Sequence, residues 1–334
     1  MSRTFILVDS MNLAFRSRHM SQSKDVDLQI GMAMHIMLQS VASVVHQWSS
    51  HDPYVVFNFE GKSWRKAIYP PYKAQRRLAA AQKTEREKED DALFIEAVES
   101  FRSFIDEKTN ALALQHNELE ADDLIALWID EHPDDEHIIV STDSDYKQLI
   151  AANVKLYDGV RSLLYTIDGV YNEKGNQAFD SKGKPMPAPE PEWELFFKCI
   201  RGDKSDNIFS AYPGAREKGT KNKVGIREAF EDRHDRGYAW NNFMLQRWTD
   251  HEEKEHKVRE KYELNKTLID LRAQPEEYRT KGQIAIYNAK QKPPVSGVGF
   301  AFAKFCGLWD LKRISQKADY FTKILNKHIS KEEV

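Results

Sequence analysis

Two cysteines in 334 residues, Cys199 and Cys306, stand far apart and form no Cys-x-x-Cys pair. That scarcity excludes a disulfide scaffold and a cysteine zinc site, and it fits a reducing compartment. Glycine (15) and proline (12) are at ordinary levels, so the chain is neither collagen-like nor a low-complexity linker. The apolar run at residues 5–8 is too short for a signal sequence and ends at Asp9, so the chain reads as cytoplasmic. Residues 28–51 lack Asp, Glu, Lys and Arg, but Gln29, His35, Gln39, Ser43, His46 and Gln47 interrupt them. Ile30, Met34, Met37, Leu38, Val41, Val45 and Trp48 recur there at helical spacing, which predicts a core-packed helix rather than a membrane span, with Met32, Met34 and Met37 as packing.

What is present is 41% hydrophobic and 30% charged residues, enough for one large or two ordinary domains. The net charge of -3 hides an asymmetry: residues 62–88 carry nine basic and two acidic side chains, a local +7. A second basic group, Arg216, Lys218, Lys221, Lys223 and Arg227, follows Pro213-Gly214. One such group is ordinary solvated surface; two offer a phosphate backbone separate footholds.

Short apolar runs at 4–8, 54–59, 111–114, 138–140 and 154–157 alternate with amphipathic stretches, the pattern of a parallel α/β sheet. Residues 183–191 hold four prolines and read as a hairpin or linker. Beyond them helices are expected at 192–200, 225–232, 240–248 and 252–271, and Pro293-Pro294 marks a break before a last unit in which Phe300, Phe302, Phe305 and Trp309 pack. The expected domains are 1–190 and 191–334.

The acids fall at element ends. Asp9 closes the first strand, Glu120, Asp122 and Asp123 open a helix, Asp143 and Asp145 follow the strand at 138–140, and Asp203 and Asp206 follow a helical run. Any one of them is as readily a helix cap. Eight in four blocks, gathered at the carboxyl ends of strands, would repel one another without hard divalent cations such as Mg²⁺ or Mn²⁺. Two such ions activate a water and stabilise the leaving oxygen of a phosphodiester. Other motifs fail on their own geometry. Residues 214–221 nearly spell a phosphate loop with Thr and Lys in the wrong order; His251 and His256 do not share a helix face; Asp143-Ser-Asp145 lacks the calcium-loop glycine, with Gln148 in its place.

Five segments in this order carry a resemblance: Phe5-Ile-Leu-Val-Asp9; Trp64-Arg65 with Pro71-Tyr72-Lys73-Ala74-Gln75-Arg76; Glu120-Ala121-Asp122-Asp123; Ser141-Thr-Asp143-Ser-Asp145; and Gly202-Asp203-Lys-Ser-Asp206-Asn207. Together they resemble the 5′-nuclease (flap endonuclease) superfamily, in its bacteriophage ribonuclease H and 5′-exonuclease branch, over roughly residues 1–271. The resemblance implies a PIN-like (Rossmann-like) parallel sheet core and a helical arch or flexible bridge at about 62–90. It also implies a mostly helical C-terminal domain with a helix-three-turn-helix DNA-binding element. The implied activity is Mg²⁺-dependent cleavage of 5′ ends, 5′ flaps and RNA primers during replication, with two ions and Mn²⁺ able to substitute.

Carried over by motif, Asp9 and Asp122 hold the first metal, with Glu120 acting through water. Asp143, Asp145 and Asp203 surround the second, with Asp123 and Asp206 nearby. Lys73 and Arg76 face the scissile phosphate, with Arg77 beside them; Lys83, Arg86 and Lys88 extend that grip onto the single-stranded arm. Tyr72 either stacks on a base or simply packs. Lys221, Lys223, the amides near Gly225 and Arg227 face duplex phosphates. The implied partners are flapped or 5′-ended DNA, RNA-DNA hybrids and a single-stranded DNA-binding protein, with a monomeric enzyme, no membrane and, for a virus, the host cytoplasm. No sliding-clamp peptide is evident at 323–334.

Two departures stand out. Asn58 occupies the place of a usual aspartate after the second strand; its carbonyl can still meet a metal, and Glu60 follows two residues on. The DNA-binding turn is expanded into a basic loop at 212–230. Asn58 keeps a second reading open, a structure-specific nucleic-acid-binding protein with weak or absent catalysis. An aspartyl-phosphate phosphatase is disfavoured, because Met11 stands where its second acid belongs.

Overall fold

The computed structural model describes residues 2–20 and 25–329; the last five residues of the stretch considered for a clamp peptide lie outside it. The chain divides into two compact units, residues 2–63, 83–189 and 275–329 in one and residues 64–82 and 190–274 in the other.

The first unit is built on a seven-stranded sheet. Strands β1 (Thr4–Asp9), β2 (Tyr54–Asn58), β3 (Leu112–Leu114), β4 (Glu136–Val140) and β5 (Val154–Asp158) are parallel, in the order β3-β2-β1-β4-β5. All six residues of β1 are buried, because a strand between two parallel neighbours is covered on both faces and reads as an unbroken apolar run. Two further strands, β6 (Leu163–Thr166) and β7 (Gly169–Asn172), extend the edge antiparallel. Ile167 and Asp168 form the tight two-residue turn that joins them. Strand order reverses at β1, so the crevice beyond the carboxyl ends of β1 and β4 is the natural ligand position of this sheet.

Helix Val26–Gln47 buries Ile30, Ala33, Met34, Met37, Leu38, Val41, Ala42 and Val44, and its N-cap Asp25 accepts amide hydrogens from Asp27 and Leu28. It is long and apolar enough to cross a membrane, but one face packs in the core formed with Ile6, Val8 and Phe101. Met32 departs from the expected packing and is 43% exposed, since it lies off the stripe of Ile30, Met34 and Met37.

Residues 275–329, expected in the second domain, pack instead in the first unit. Helix Glu276–Lys290 lies on helix Ala121–Glu131 so closely that a Cβ on Gly282 would sit 2.2 Å from Leu127 Cδ1. In helix Val298–Leu308, Phe305 stacks on Phe104 with centroids 4.3 Å apart, and Phe302 packs on Phe321. Phe300, also expected to pack, is 80% exposed, because its position points away from that stripe.

The second unit is mostly helical, with helices Pro191–Arg201, Ile226–Glu231, Tyr238–Met244 and Val258–Ile269 around Phe196, Ile200, Phe230, Trp240, Phe243 and Val258. The helices expected over 240–248 and 252–271 are each cut short by a hairpin that pairs Arg247–Thr249 with Glu255–Lys257. Asp250 causes it: its carboxylate accepts the Glu252 and Lys254 amides and meets His256 Nε2 at 2.6 Å, a turn that competes with helix. Cys199 and Cys306 are both buried and are not joined in a disulfide.

Candidate metal centre and nucleic-acid interface

Asp9 sits at the end of β1 with its side chain nearly inaccessible. Its Oδ1 accepts the Asn12 amide at 3.1 Å, and its Oδ2 accepts Ser141 Oγ at 3.0 Å and the Tyr146 hydroxyl at 3.1 Å. Burial nonetheless dominates and, helped by the negative charge of Asp143, pushes its carboxyl up to about 6. The neighbouring phenol reports the same crowding. Burial and then the charges of Asp9, Asp122 and Asp143 push Tyr146 well above the usual tyrosine range, so carboxylates from three sequence blocks act electrostatically on one phenol, of which Asp9 touches it.

Glu120, Asp122 and Asp123 open helix Ala121–Glu131, and one carboxylate oxygen from each lies within 4.8 Å of the others. The capping role open to such residues is real here: Asp123 Oδ2 accepts the Glu120 amide at 3.0 Å. Glu120 Oε2 accepts Ser63 Oγ at 2.7 Å. Asp122 is half-buried, whereas Glu120 and Asp123 are buried. After β4, Asp143 caps a 3₁₀ turn over Ser144–Leu149 through the Asp145 amide at 2.9 Å, with Asp143 exposed and Asp145 half-buried.

Asn58 lies opposite Asp9 in the β1–β2 register. Its Nδ2 donates to the Val8 and Val56 carbonyls, and its fully buried Oδ1 has no hydrogen-bond partner. Glu60, two residues on, accepts the Ala121 amide at 3.3 Å at the start of the acidic helix. Its backbone is pinned on both sides, by Phe59 N to Leu114 O and Gly61 N to Leu119 O. A buried carboxylate, an amide oxygen that meets no donor among the described residues, and clustered carboxylates form an all-oxygen set that fits a hard divalent cation.

Asp203 and Asp206 belong to the second unit. Asp203 Oδ1 accepts the Ser205 amide and hydroxyl, both at 2.7 Å, and Oδ2 pairs with Lys198; although burial opposes it, these contacts hold the carboxyl below its ordinary range. Asp206 binds the Tyr72 hydroxyl and Arg76. The Tyr72 ring is 1% exposed in a cluster with Cys199, Ile208, Leu268 and Ile269, so the two uses open to it resolve to packing, and base stacking is not available in this conformation. Arg77 binds the Tyr72 and Pro70 carbonyls.

Several cations expected on nucleic acid have protein partners. Lys83 pairs with Asp91, which also takes Arg18. Lys88 pairs with Glu85, while Arg86 is exposed. The implied flexible bridge is helical on both sides, and the second helix, Glu85–Lys108, opens on a capping box between Thr84 and Glu87. Arg227 lies over Trp193 and Phe230 and pairs with Glu190 and Glu231. The Gly225 amide does not await a phosphate: it donates to Glu228 Oε2 at 2.9 Å, as Gly219 does to the same carboxylate. Lys221 and Lys223, on the loop this carboxylate closes, are exposed.

Residues 4–175, just over half of the chain, match the family described as 5′-3′ exonuclease, N-terminal resolvase-like domain. The chain belongs to this family. It is 28% identical over 232 residues to a 5′-3′ exonuclease of Mycoplasmopsis pulmonis, covering 69% of each chain. To the flap endonuclease of Escherichia phage T5 it is 26% identical over 209 residues, 62% of this chain and 64% of that one. The fold is that of the bacteriophage T5 flap endonuclease, whose pseudo-enzyme-product complex with DNA and metal ions aligns with a TM-score of 0.55 at 19% identity over 96% of this chain and all of that one.

Family and constellation together make this protein a metal-dependent nuclease. Four residues that were given no role in the sequence, Asn12, Ser63, Ser141 and Tyr146, bond to these carboxylates or their loops. Ser141 opens the quoted Ser141-Thr-Asp143-Ser-Asp145 and Tyr146 follows it directly, so both were readable there. The bonds that Asn12 Oδ1 accepts from Thr142 N and Oγ1, and the one Ser63 makes to Glu120, left no sequence signal, because they span 130 and 57 residues.

Proposed function

We propose that the protein removes RNA primers and 5′ flaps during DNA replication, acting on flapped or 5′-ended DNA and on RNA-DNA hybrids through two Mg²⁺ ions, for which Mn²⁺ can substitute. The single observation that carries this reading is the cluster of Glu120, Asp122 and Asp123, whose carboxylate oxygens lie within 4.8 Å of one another at the start of one helix. Asp9, Asp122, Glu120, Asp123, Asp143 and Asp145 would hold the cations on the sheet side, with the Asn58 carbonyl as a neutral donor, and Asp203 is the second unit's candidate. Divalent cations supply there the charge that eases deprotonation of a water and offsets the charge on the leaving oxygen.

The chain's own residues do the rest. Ser141, Tyr146 and the Asn12 amide orient Asp9, and Ser63 orients Glu120. Lys73 and Arg76 supply fixed positive charge for the scissile phosphate as its negative charge grows. Exposed Lys221 and Lys223 grip duplex backbone, and a single-stranded DNA-binding protein is the partner that suits work on displaced strands.

The test is cleavage of a 5′-labelled DNA flap and of an RNA-DNA hybrid with Mg²⁺, with Mn²⁺ and with EDTA. Short products from the 5′ end of both substrates, dependent on either metal, are the expected result. Tight flap binding without cleavage under either metal would favour the binding-protein reading that neutral, buried Asn58 keeps open. Cleavage of the DNA flap alone would remove the ribonuclease H activity.

A further inference from the structure

We propose that Asp206 is a positioning residue that clasps the basic segment 72–76 and acts on the reaction through Lys73 and Arg76. This rests on the nuclease reading above.

One residue makes three bonds to that segment. Asp206 Oδ2 accepts the Tyr72 hydroxyl at 3.0 Å, Oδ1 accepts an Arg76 guanidinium N–H at 3.0 Å, and its carbonyl accepts the Lys73 amide at 2.9 Å. The next residue repeats the grip: Asn207 Nδ2 donates to the Pro71 carbonyl at 2.8 Å, and its Oδ1 accepts from Gln75 Nε2 at 3.1 Å. Lys73 and Asn207 both have left-handed backbone, at φ 50° and 60°, a conformation that side-chain-bearing residues hold only when their surroundings enforce it.

The clasp matters because the helix that follows has no packed face of its own. Helix Ala74–Ala81, which follows Lys73, has no buried residue. A helix without a packed face is not kept in place by its own sequence. Its anchor is the buried Tyr72 ring, and the orientation of the turn beyond it is set by Asp206 and Asn207. The Asp206 side chain is 16% exposed against 60% for Arg76, so the carboxylate is the fixed member of the pair and the guanidinium the one being aimed. An exposed ion pair alone contributes little, but the Tyr72 phenol and the Lys73 amide close the same clasp from the protected side. Both oxygens of this carboxylate thus face a donor from the segment that carries the phosphate-directed charge.

Two measurements test this. Amide hydrogen exchange over residues 73–82 in the metal-free, DNA-free protein should quicken by about tenfold in Asp206→Ala, less in Asp206→Asn and Tyr72→Phe, and not at all in Asp122→Asn. Unchanged exchange in both Asp206 variants would overturn the clasp, and this readout stands whether or not the protein cleaves anything. On a flap substrate, Asp206→Asn should lower kcat with little change in KM, and the effect should largely vanish in an Arg76→Ala background, because residues acting through one another are not additive. Fully additive losses would mean that Asp206 acts elsewhere and would overturn the proposal, whereas absence of cleavage in every form, including wild type, would remove the nuclease reading and leave exchange to decide the clasp. The asparagine variant keeps an acceptor for Tyr72 and guards against misfolding of the alanine form.

Discussion

The Tyr146 hydroxyl donates to Asp9 Oδ2 at 3.1 Å, joining the residue after Asp145 to the carboxylate that ends β1, 137 positions earlier. Both groups are buried, and the phenol is one of three donors that Asp9 meets among the described residues. Tyr146→Phe should therefore destabilise the metal-free protein at pH 7.5 by about 1–2 kcal/mol, the cost of removing a hydrogen bond to a buried charge. Urea denaturation measures it; an unchanged midpoint would mean that Asp9 does not depend on this donor.

The Asp9 carboxyl stands at about 6 when folded, against 3.8 for an unperturbed aspartate, chiefly because it is buried. A raised acid pKa means that the folded chain holds a proton the unfolded chain has released. The contribution of Asp9 to stability is thus complete below about pH 4, falls as pH rises through 6, and is then lost by about 3 kcal/mol. A divalent cation held by Asp9, as proposed, would replace that proton at neutral pH. Mg²⁺ should raise Tm more at pH 7.5 than at pH 5, and this difference should shrink in Asp9→Asn.

Asp122 and Asp143 come from separate elements yet act on the same phenol. Asp122→Asn or Asp143→Asn should lower flap cleavage by about a thousandfold or more while affinity for the flap stays within a small factor, since each removes a charge needed mainly in the transition state. Gel-shift affinity and single-turnover rates separate the two effects. Wild-type turnover in both variants would remove these carboxylates from the chemistry.

Asn58→Asp would put a carboxylate where the amide now donates to the Val8 and Val56 carbonyls, directly beside Asp9 in the register. The metal-free variant should lose about 2–4 kcal/mol, because a buried charge faces two acceptors and a second acid. Mn²⁺ affinity, read by electron paramagnetic resonance, should tighten. Lower stability with unchanged affinity would place Asn58 outside the cation site.

Gly225 is needed for close approach rather than for its backbone angles. A Cβ there would meet Gly219 N at 2.3 Å and Glu228 Oε2 at 2.6 Å, the two groups that close the basic loop. Gly225→Ala should open the loop and weaken duplex binding by about tenfold, with a shallower salt dependence, since Lys221 and Lys223 lose their fixed spacing. Equal affinity at every salt concentration would show that the loop does not carry the phosphate contacts.

The five parallel strands, the core helix at Val26–Gln47 and the four acidic blocks were legible in the sequence, because each rests on local pattern: an apolar run, a helical stripe, an acid at an element end. Legible too were the five ordered motifs that led to the 5′-3′ exonuclease family. Tertiary structure alone decided the partners. Lys83 and Arg227 look free in a linear chain, but Asp91 and Glu190 answer them in space, whereas the Gly225 amide meets Glu228 only three residues on, in a local capping box. Tyr72 turns inward because Cys199 and Leu268 offer its ring a core and Asp206 offers its hydroxyl an acceptor. Residues 275–329 join the sheet unit because Gly282 lets one helix approach Leu127, a fit of shapes that no period or composition records. Periodicity determines which face of an element is apolar; which other element covers that face, and which charge meets which, depends on contacts between residues far apart in the chain.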